Sequence, residues 1–148
     1  MSGRLSRRLQ AVFAEVGLDF RKYVIFAPWL ERPVFYGLMK KADVMLDTIG
    51  FSGFNTAMQA IECSLPIVTR EGRFMRGRLA SGILQQMGMQ ELVANNEEDY
   101  ISIAVRLIQE SAYHQSVQEE IEAGRQVLFD DIVPIRALEE FLEKVVQE

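Results

Sequence analysis

The sequence is short of the residues that build metal centres and hydrolytic active sites. Its 148 residues include one cysteine, Cys63, and one histidine, His114. A single thiol excludes an intramolecular disulfide. One cysteine and one histidine are also too few for a zinc site built from cysteine and histidine ligands. His114 lies in a charged helical stretch, which is typical of a surface residue and not of a catalytic triad. The low cysteine content predicts a reducing compartment.

Long apolar runs and excess positive charge are also missing. No run approaches the ~20 residues that cross a bilayer, and the opening MSGRLSRRLQ lacks the apolar core of a signal peptide. The net charge is −5, which argues against a non-specific nucleic-acid binder because such proteins need a basic face. We therefore expect a cytoplasmic protein without nucleic-acid or membrane partners, and any basic site must be local.

The common nucleotide-binding motifs are absent as well. GFSGFN, at residues 50–55, does not fit G-x-G-x-x-G, and no G-K-[ST] occurs in the chain. Dehydrogenase and P-loop interpretations are therefore weak.

The sequence does contain alternating helical and strand-like segments, and 49% of its residues are hydrophobic. Helical patterns cover 5–16, 33–42, about 55–63 and 74–88. Strand-type runs cover 23–29, 43–49, 65–68 and 91–94. The alternation predicts an α/β fold: one Rossmann-like, three-layer domain with a parallel sheet of about four strands. Because the pattern opens on a helix, we expect a first strand to be missing and the chain to be part of a longer protein.

Helices alone follow residue 95. Asn96 is a predicted N-cap for a helix whose apolar stripe is Ile101, Ala104, Val105 and Ile108. A charged helix is predicted over 113–128. The stripe of a terminal helix is formed by Leu138, Phe141, Leu142 and Val145.

One loop carries the chemistry, in the stretch GFSGFNTAMQAIECSLPIVT at residues 50–69. It follows a strand and leads into a helix, where ligands bind in parallel sheets. Glycines permit close approach of a ligand to the backbone, and free amides with the helix dipole favour a phosphate. The residues concerned are Gly50, Ser52, Gly53, Asn55, Thr56 and, one turn later, Gln59. The alternative is that Ser52 or Asn55 only caps a helix.

An arginine cluster follows the next strand, in REGRFMRGRLA at residues 70–80. Guanidinium groups pair with phosphate oxygens, so one or two of these arginines, with Arg32 on the same sheet edge, are candidates to neutralise a diphosphate. A solvated helix face is the alternative. The cluster consists of Arg70, Arg73, Arg76 and Arg78.

Three stretches resemble the C-terminal catalytic half of the O-linked N-acetylglucosaminyltransferase (SPINDLY-type) family. They are FAPWLERPVFYGLMKKADVMLD, the loop stretch at residues 50–69, and GRFMRGRLASGILQQMGMQELVA. The resemblance implies the glycosyltransferase B architecture, with two Rossmann-like domains facing a cleft, usually preceded by tetratricopeptide repeats. Residues 1–148 would be the second of these domains, which binds UDP-N-acetylglucosamine or a related donor.

The resemblance also implies roles for individual residues. The uracil-binding backbone corresponds to Leu30 and Glu31, and the basic residue at the nucleotide to Arg32. The diphosphate-binding turn corresponds to Gly53, Asn55 and Thr56. Gln59 replaces an acidic residue that holds the ribose hydroxyls, which bears on donor affinity or identity. Phe35 occupies a position where a relative places a histidine beside the base, so its ring is a candidate to stack there, but its place in the apolar stripe of the helix favours core packing. Arg78 matches a recurrent arginine whose role is open to a structural explanation.

The intact enzyme would transfer the sugar to serine or threonine of an acceptor protein with inversion and without a metal or other cofactor. No general base stands out, and acceptor contacts would come from the missing domain and repeats, so we expect this chain alone to be inactive. Two alternatives stay open: a non-catalytic regulatory or interaction module with the same fold, and a UDP-glucose-dependent protein glucosyltransferase.

Overall fold

The computed structural model describes residues 3–129 and 131–147. Its internal contacts divide the chain into two compact units, the first ending at Arg32 and the second beginning at Pro33. None of the helices in these described ranges has the length and hydropathy of a bilayer-spanning segment.

The first unit contains the predicted opening helix. Helix α1 spans Gly3–Glu15, and Gly17 follows it with φ of +72°, the left-handed conformation that ends a helix. A short 3₁₀ turn, Phe20–Lys22, comes next, with Asp19 accepting a hydrogen bond at its start. The helix predicted over 5–16 is confirmed.

The strand predicted over 23–29 is wrong. Residues 24–31 have no regular secondary structure, and the side chains of Ile25 and Trp29 are 92% and 93% exposed. An apolar run shows which side chains favour burial, but a strand also needs a hydrogen-bonded partner. Among the described residues, no strand pairs with this segment.

The second unit is built on a parallel sheet. Its strands are β1 (Met45–Leu46), β2 (Ile67–Arg70) and β3 (Val93–Ala94), in the order β1-β2-β3. Met45 pairs with Ile67, and Thr69 pairs with Val93. The predicted α/β class with a parallel sheet is confirmed, with three strands in the described part of the chain.

Helices connect and cover the strands. Helix α2 (Arg32–Met39) precedes β1, and the crossover helices α3 (Phe54–Glu62) and α4 (Leu79–Gln86) pack against each other. Right-handed crossovers in one direction place α3 and α4 on the same face of the sheet. The predicted helix over 74–88 is divided, because a 3₁₀ turn at Met75–Gly77 precedes α4.

Helix α5 (Glu97–Gln109) packs on β2 and β3. The N-cap predicted for it is confirmed, but the predicted buried face is wrong. Asn96 is the N-cap as predicted, accepting a hydrogen bond from the Asp99 amide at 2.8 Å. Of the predicted stripe, however, only Ala104 is buried. The buried face turns towards Leu107, since the sheet contacts decide which side of an ambiguous helix is covered. The other members of the stripe are 41–61% exposed: Ile101, Val105 and Ile108.

Helix α6 (Ser111–Gly124) lies along the amino ends of the strands. The His114 Nε2 lies 2.8 Å from the Asp43 carbonyl oxygen just before β1, and Ser64 donates to Glu122 just before β2. Helix α7 (Val133–Gln147) follows. The apolar stripe predicted for it is more than half exposed, at Leu138, Phe141, Leu142 and Val145.

The core lies between the sheet and its helices. Its fully buried large side chains come from β2, α3, α4, α5 and α6, among them Ile61, Ile67, Val68, Leu84, Leu107 and Ile121. Phe35 packs against this core, as predicted. The carboxyl ends of the strands, on the side away from α6, carry the loops described next.

Close backbone approach at those loops predicts a stability difference between two glycines. A Cβ at Gly77 would lie 3.1 Å from the Gly72 Cα and 3.2 Å from the Gly50 carbonyl oxygen. We expect Gly77→Ala to lower the free energy of unfolding by about 1–3 kcal/mol, because backbone must move to admit the methyl group. A Cβ at Gly82, inside α4, meets nothing within 4 Å, so Gly82→Ala should instead stabilise by about 0.5–1 kcal/mol. Urea unfolding of both variants measures the difference, and equal effects would contradict this account.

Candidate functional site

The candidate site is the start of α3, at the carboxyl edge of the sheet. Gly53 is the N-cap residue, with extended backbone angles of −90° and 105° and no capping side chain. The first intrahelical bond runs from the Ala57 amide to the Gly53 carbonyl at 3.0 Å. The amides of the first turn therefore have no acceptor inside the helix.

Those amides are not equivalent. The Gly53 amide donates to Asp47 Oδ1 at 3.1 Å and is occupied. The amides of Phe54, Asn55 and Thr56 have no acceptor among the described residues. Three adjacent unpaired donors at the positive end of a helix dipole form an anion-binding arrangement.

The polar side chains that follow lie along α3. Asn55 is exposed, and Thr56 and Gln59 are half-buried. Asn55 and Gln59 are four residues apart and share one helix face. Neither side chain makes a hydrogen bond within the described part of the second unit, so both amide groups are available to a ligand held at the helix start.

Ser52 has a different environment from the other residues predicted for this site. Its side chain is 2% exposed, and its hydroxyl accepts a hydrogen bond from the Ala80 amide at 2.8 Å. Its own amide donates to the Arg76 carbonyl at 2.7 Å. Ser52 thus caps α4 and ties the loop after β1 to the loop after β2, while α3 keeps its uncapped start.

Sequence reasoning missed the residue that anchors this loop, Asp47. It directly follows β1 and is 4% exposed. Its Oδ2 accepts a hydrogen bond from the Thr69 hydroxyl at 2.8 Å, and its carbonyl accepts one from the Tyr100 hydroxyl at 2.8 Å. Burial and the Asp47 carboxylate raise the pKa of Tyr100, which keeps this phenol protonated as a donor. The available signal was a carboxylate immediately after an apolar strand.

The arginine cluster is largely engaged with its own surroundings. Arg70 pairs with Glu97 at 3.1 Å, and Arg78 pairs with Glu71 at 2.8 Å. Burial opposes ionisation of Glu71, but hydrogen bonds from Gln85 and Ser81 and the charge of Arg78 outweigh it and lower the pKa of the carboxyl. These contacts give Arg78 a structural role in the loop after β2.

The other two arginines of the cluster lie on the surface. The guanidinium carbons of Arg73 and Arg76 are 5.6 Å and 4.8 Å from the centroid of the Phe74 ring. Neither guanidinium has a carboxylate partner among the described residues. They are the charges of this cluster that remain uncompensated.

The residues predicted to contact the uracil belong to the first unit. Leu30 is half-buried and Glu31 is exposed, both without regular secondary structure, and the exposed Arg32 begins α2. Their contact with a base stays a prediction. As for metals, the described residues contain no group of three or more His, Cys, Asp or Glu side chains placed to hold an ion.

Comparisons with known proteins agree on one family. The sequence profile of glycosyl transferase family 41 matches residues 5–131. The UDP-N-acetylglucosamine–peptide N-acetylglucosaminyltransferase of Caenorhabditis elegans is 34% identical over 91 residues, which are 60% of this chain and 8% of the relative. The SPINDLY protein of Petunia hybrida, named as a probable enzyme of the same activity, is 32% identical over 72 residues, which are 49% of this chain and 7% of the relative.

A solved structure extends the likeness to the fold. A mutant O-GlcNAc transferase of Thermobaculum terrenum matches with a TM-score of 0.80 and 30% identity, over 97% of this chain and 28% of that chain. The matched segments cover less than a tenth of the length of the two curated relatives. The resemblance seen in the sequence is confirmed: the chain belongs to glycosyl transferase family 41.

Proposed function

We propose that this chain forms the donor-binding part of an inverting protein O-glycosyltransferase that uses UDP-N-acetylglucosamine or a closely related UDP-sugar. The observation that carries the proposal is the uncapped start of α3, where three neighbouring amides lack acceptors among the described residues. Membership of family 41 and the names of the relatives support the choice of donor.

The diphosphate is assigned to the amides of Phe54, Asn55 and Thr56. The side chains of Asn55 and Thr56 add neutral donors beside them. Gln59, one turn further along the same face as Asn55, is assigned to the ribose. For the first unit, the family resemblance implies a uracil contact through the backbone of Leu30 and Glu31 and through Arg32, and this stays a prediction.

This arrangement supports catalysis by electrostatic stabilisation of the leaving group. Negative charge grows on the departing diphosphate in the transition state, so donors already fixed in place hold the transition state more tightly than the ground state. Removing one such donor typically costs about 2–4 kcal/mol of barrier. No general base is assigned to this chain, and we propose that acceptor recognition belongs to other parts of the longer family members.

A non-catalytic module with the same fold is the second candidate, and the glutamine at position 59 favours it. A neutral amide holds a ribose hydroxyl less strongly than a carboxylate does. The two candidates differ in a measurable property, since a degenerate module has no need of a saturable site for UDP.

We expect the chain to bind UDP at least about tenfold more tightly than uridine, because a phosphate gains charge-assisted hydrogen bonds worth about 1.5–3 kcal/mol each. Isothermal titration with UDP, uridine and inorganic pyrophosphate measures this. Pyrophosphate should compete with UDP. Equal affinities for UDP and uridine would leave the helix start without the proposed role.

Proline at position 54 tests the amides directly. Proline is well accepted as the first residue of a helix, and the extended backbone of Gly53 is the conformation that precedes a proline. Phe54→Pro therefore removes one N–H while keeping the helix. Phe54→Ala is the matched reference, because it also removes the ring but retains the N–H. We expect UDP to bind at least about tenfold more weakly to the proline variant than to the alanine variant; equal affinities in titrations would show that this amide contacts no phosphate.

The ribose assignment is tested by Gln59→Asp. A carboxylate accepts a stronger hydrogen bond than an amide, by about 1 kcal/mol, so affinity for UDP should rise about fivefold. Affinity for 2′-deoxy-UDP, which lacks one of the two hydroxyls, should rise less. Gln59→Ala serves as the control that removes the acceptor. If all three proteins discriminate UDP from 2′-deoxy-UDP equally, Gln59 does not contact the ribose 2′-hydroxyl.

A further inference from the structure

We infer that Asp47 is a positioning residue of the donor site: its buried carboxylate holds the N-cap of α3 so that the next three amides stay free for phosphate. The inference rests on the proposed function for the identity of the ligand. Its structural part, the anchoring of Gly53, stands on contacts within the second unit.

Asp47 links three separate elements. One carboxylate oxygen accepts from the Thr69 hydroxyl of β2 at 2.8 Å, and the other accepts from the Gly53 amide at 3.1 Å. The main-chain carbonyl of Asp47 accepts from the Tyr100 hydroxyl of α5 at 2.8 Å. Asp47 is 4% exposed and Thr69 is 0% exposed. The carboxylate is therefore enclosed by protein, and its hydrogen bonds join parts of the fold.

The N-cap of α3 differs from an ordinary helix cap. An ordinary N-cap side chain accepts from the amide of the second or third helical residue and so occupies the donors that an anion would use. In this protein the N-cap is a glycine with no side chain, and the carboxylate six residues earlier bonds the N-cap amide itself. The helix start is fixed, yet the amides of residues 54 to 56 remain unoccupied by any described residue.

The hydrogen bonds of Asp47 and its charge have opposite effects on an anion bound at the start of α3. A carboxylate near an anion site opposes phosphate binding electrostatically, so its value to the site lies in its two hydrogen bonds. An asparagine in place of Asp47 would keep both: its oxygen accepts from Gly53, and its NH₂ group donates to the Thr69 hydroxyl, which also functions as an acceptor. Asp47→Asn therefore preserves the anchor and removes the charge, whereas Asp47→Ala removes the anchor.

The experiment compares Asp47→Ala, Asp47→Asn and the unchanged chain by titration with UDP and with uridine, after circular dichroism has shown each to be folded. We expect Asp47→Ala to lose about tenfold or more in UDP affinity with little change for uridine. Asp47→Asn should bind UDP at least as tightly as the unchanged chain. Loss of UDP affinity in Asp47→Asn equal to that in Asp47→Ala, or full UDP affinity in a folded Asp47→Ala, would overturn the inference.

A second readout does not depend on any ligand. Hydrogen exchange of the Gly53 amide, followed by NMR, should be slow in the unchanged chain and in Asp47→Asn, and fast in Asp47→Ala. Thr69→Val removes one hydrogen-bond partner of the carboxylate while nearly keeping the volume of the side chain at position 69. This variant should also speed the exchange of the Gly53 amide. If UDP does not bind but the exchange pattern holds, the proposed function fails while Asp47 keeps its positioning role. Fast exchange of Gly53 in the unchanged chain would overturn the anchor itself.

Discussion

The carboxyl edge of this sheet depends on one buried carboxylate. Asp47 leaves β1 and at once bonds across to Thr69 in the neighbouring strand, so the loop that follows starts from a fixed point in the sheet. Its second oxygen bonds Gly53, six residues later, and closes the loop on itself. A buried carboxylate lacking such partners would be strongly unfavourable, and the requirement to satisfy both oxygens therefore determines where α3 begins.

The loop after β2 is attached to this anchor by backbone contacts. The Ser52 amide donates to the Arg76 carbonyl at 2.7 Å, and the Gly50 carbonyl oxygen lies so near Gly77 that a Cβ there would be 3.2 Å from it. Ser52 completes the attachment by capping α4 at Ala80. Two helices thus start from one hydrogen-bonded unit, but only α4 receives a side-chain cap. Ser52 accepts from one amide of the first turn of α4, whereas no described side chain accepts from the amides of Phe54, Asn55 and Thr56 in the first turn of α3.

Local patterns were sufficient to predict the alternation of elements, the class of sheet and the start of α3 near Asn55, because periodicity and glycine placement act over a few residues. They were insufficient where the partner is distant in sequence. The sequence allows Ser52 as a helix cap, and it is one, but for a helix that begins 27 residues later. Asp47 was not identified because its partners, Thr69 and Tyr100, come from other elements. The predictions of a strand over 23–29 and of the buried face of α5 are wrong for the same reason, because tertiary contacts decide both features.

The charge distribution is consistent with our proposal that amides, more than the arginines of the loop after β2, hold the diphosphate. Arg70 and Arg78 are neutralised by Glu97 and Glu71, and the net charge of −5 weakens any long-range attraction of an anion. Neutral donors of fixed direction stabilise a transition state most when its negative charge develops at the point they face. Mobile surface cations attract substrate and product alike. The proposed donor site therefore relies on the orientation of α3. That orientation is set by a residue that itself carries negative charge, which is tolerable because Asp47 directs its two oxygens to Thr69 and Gly53 and turns neither towards the free amides.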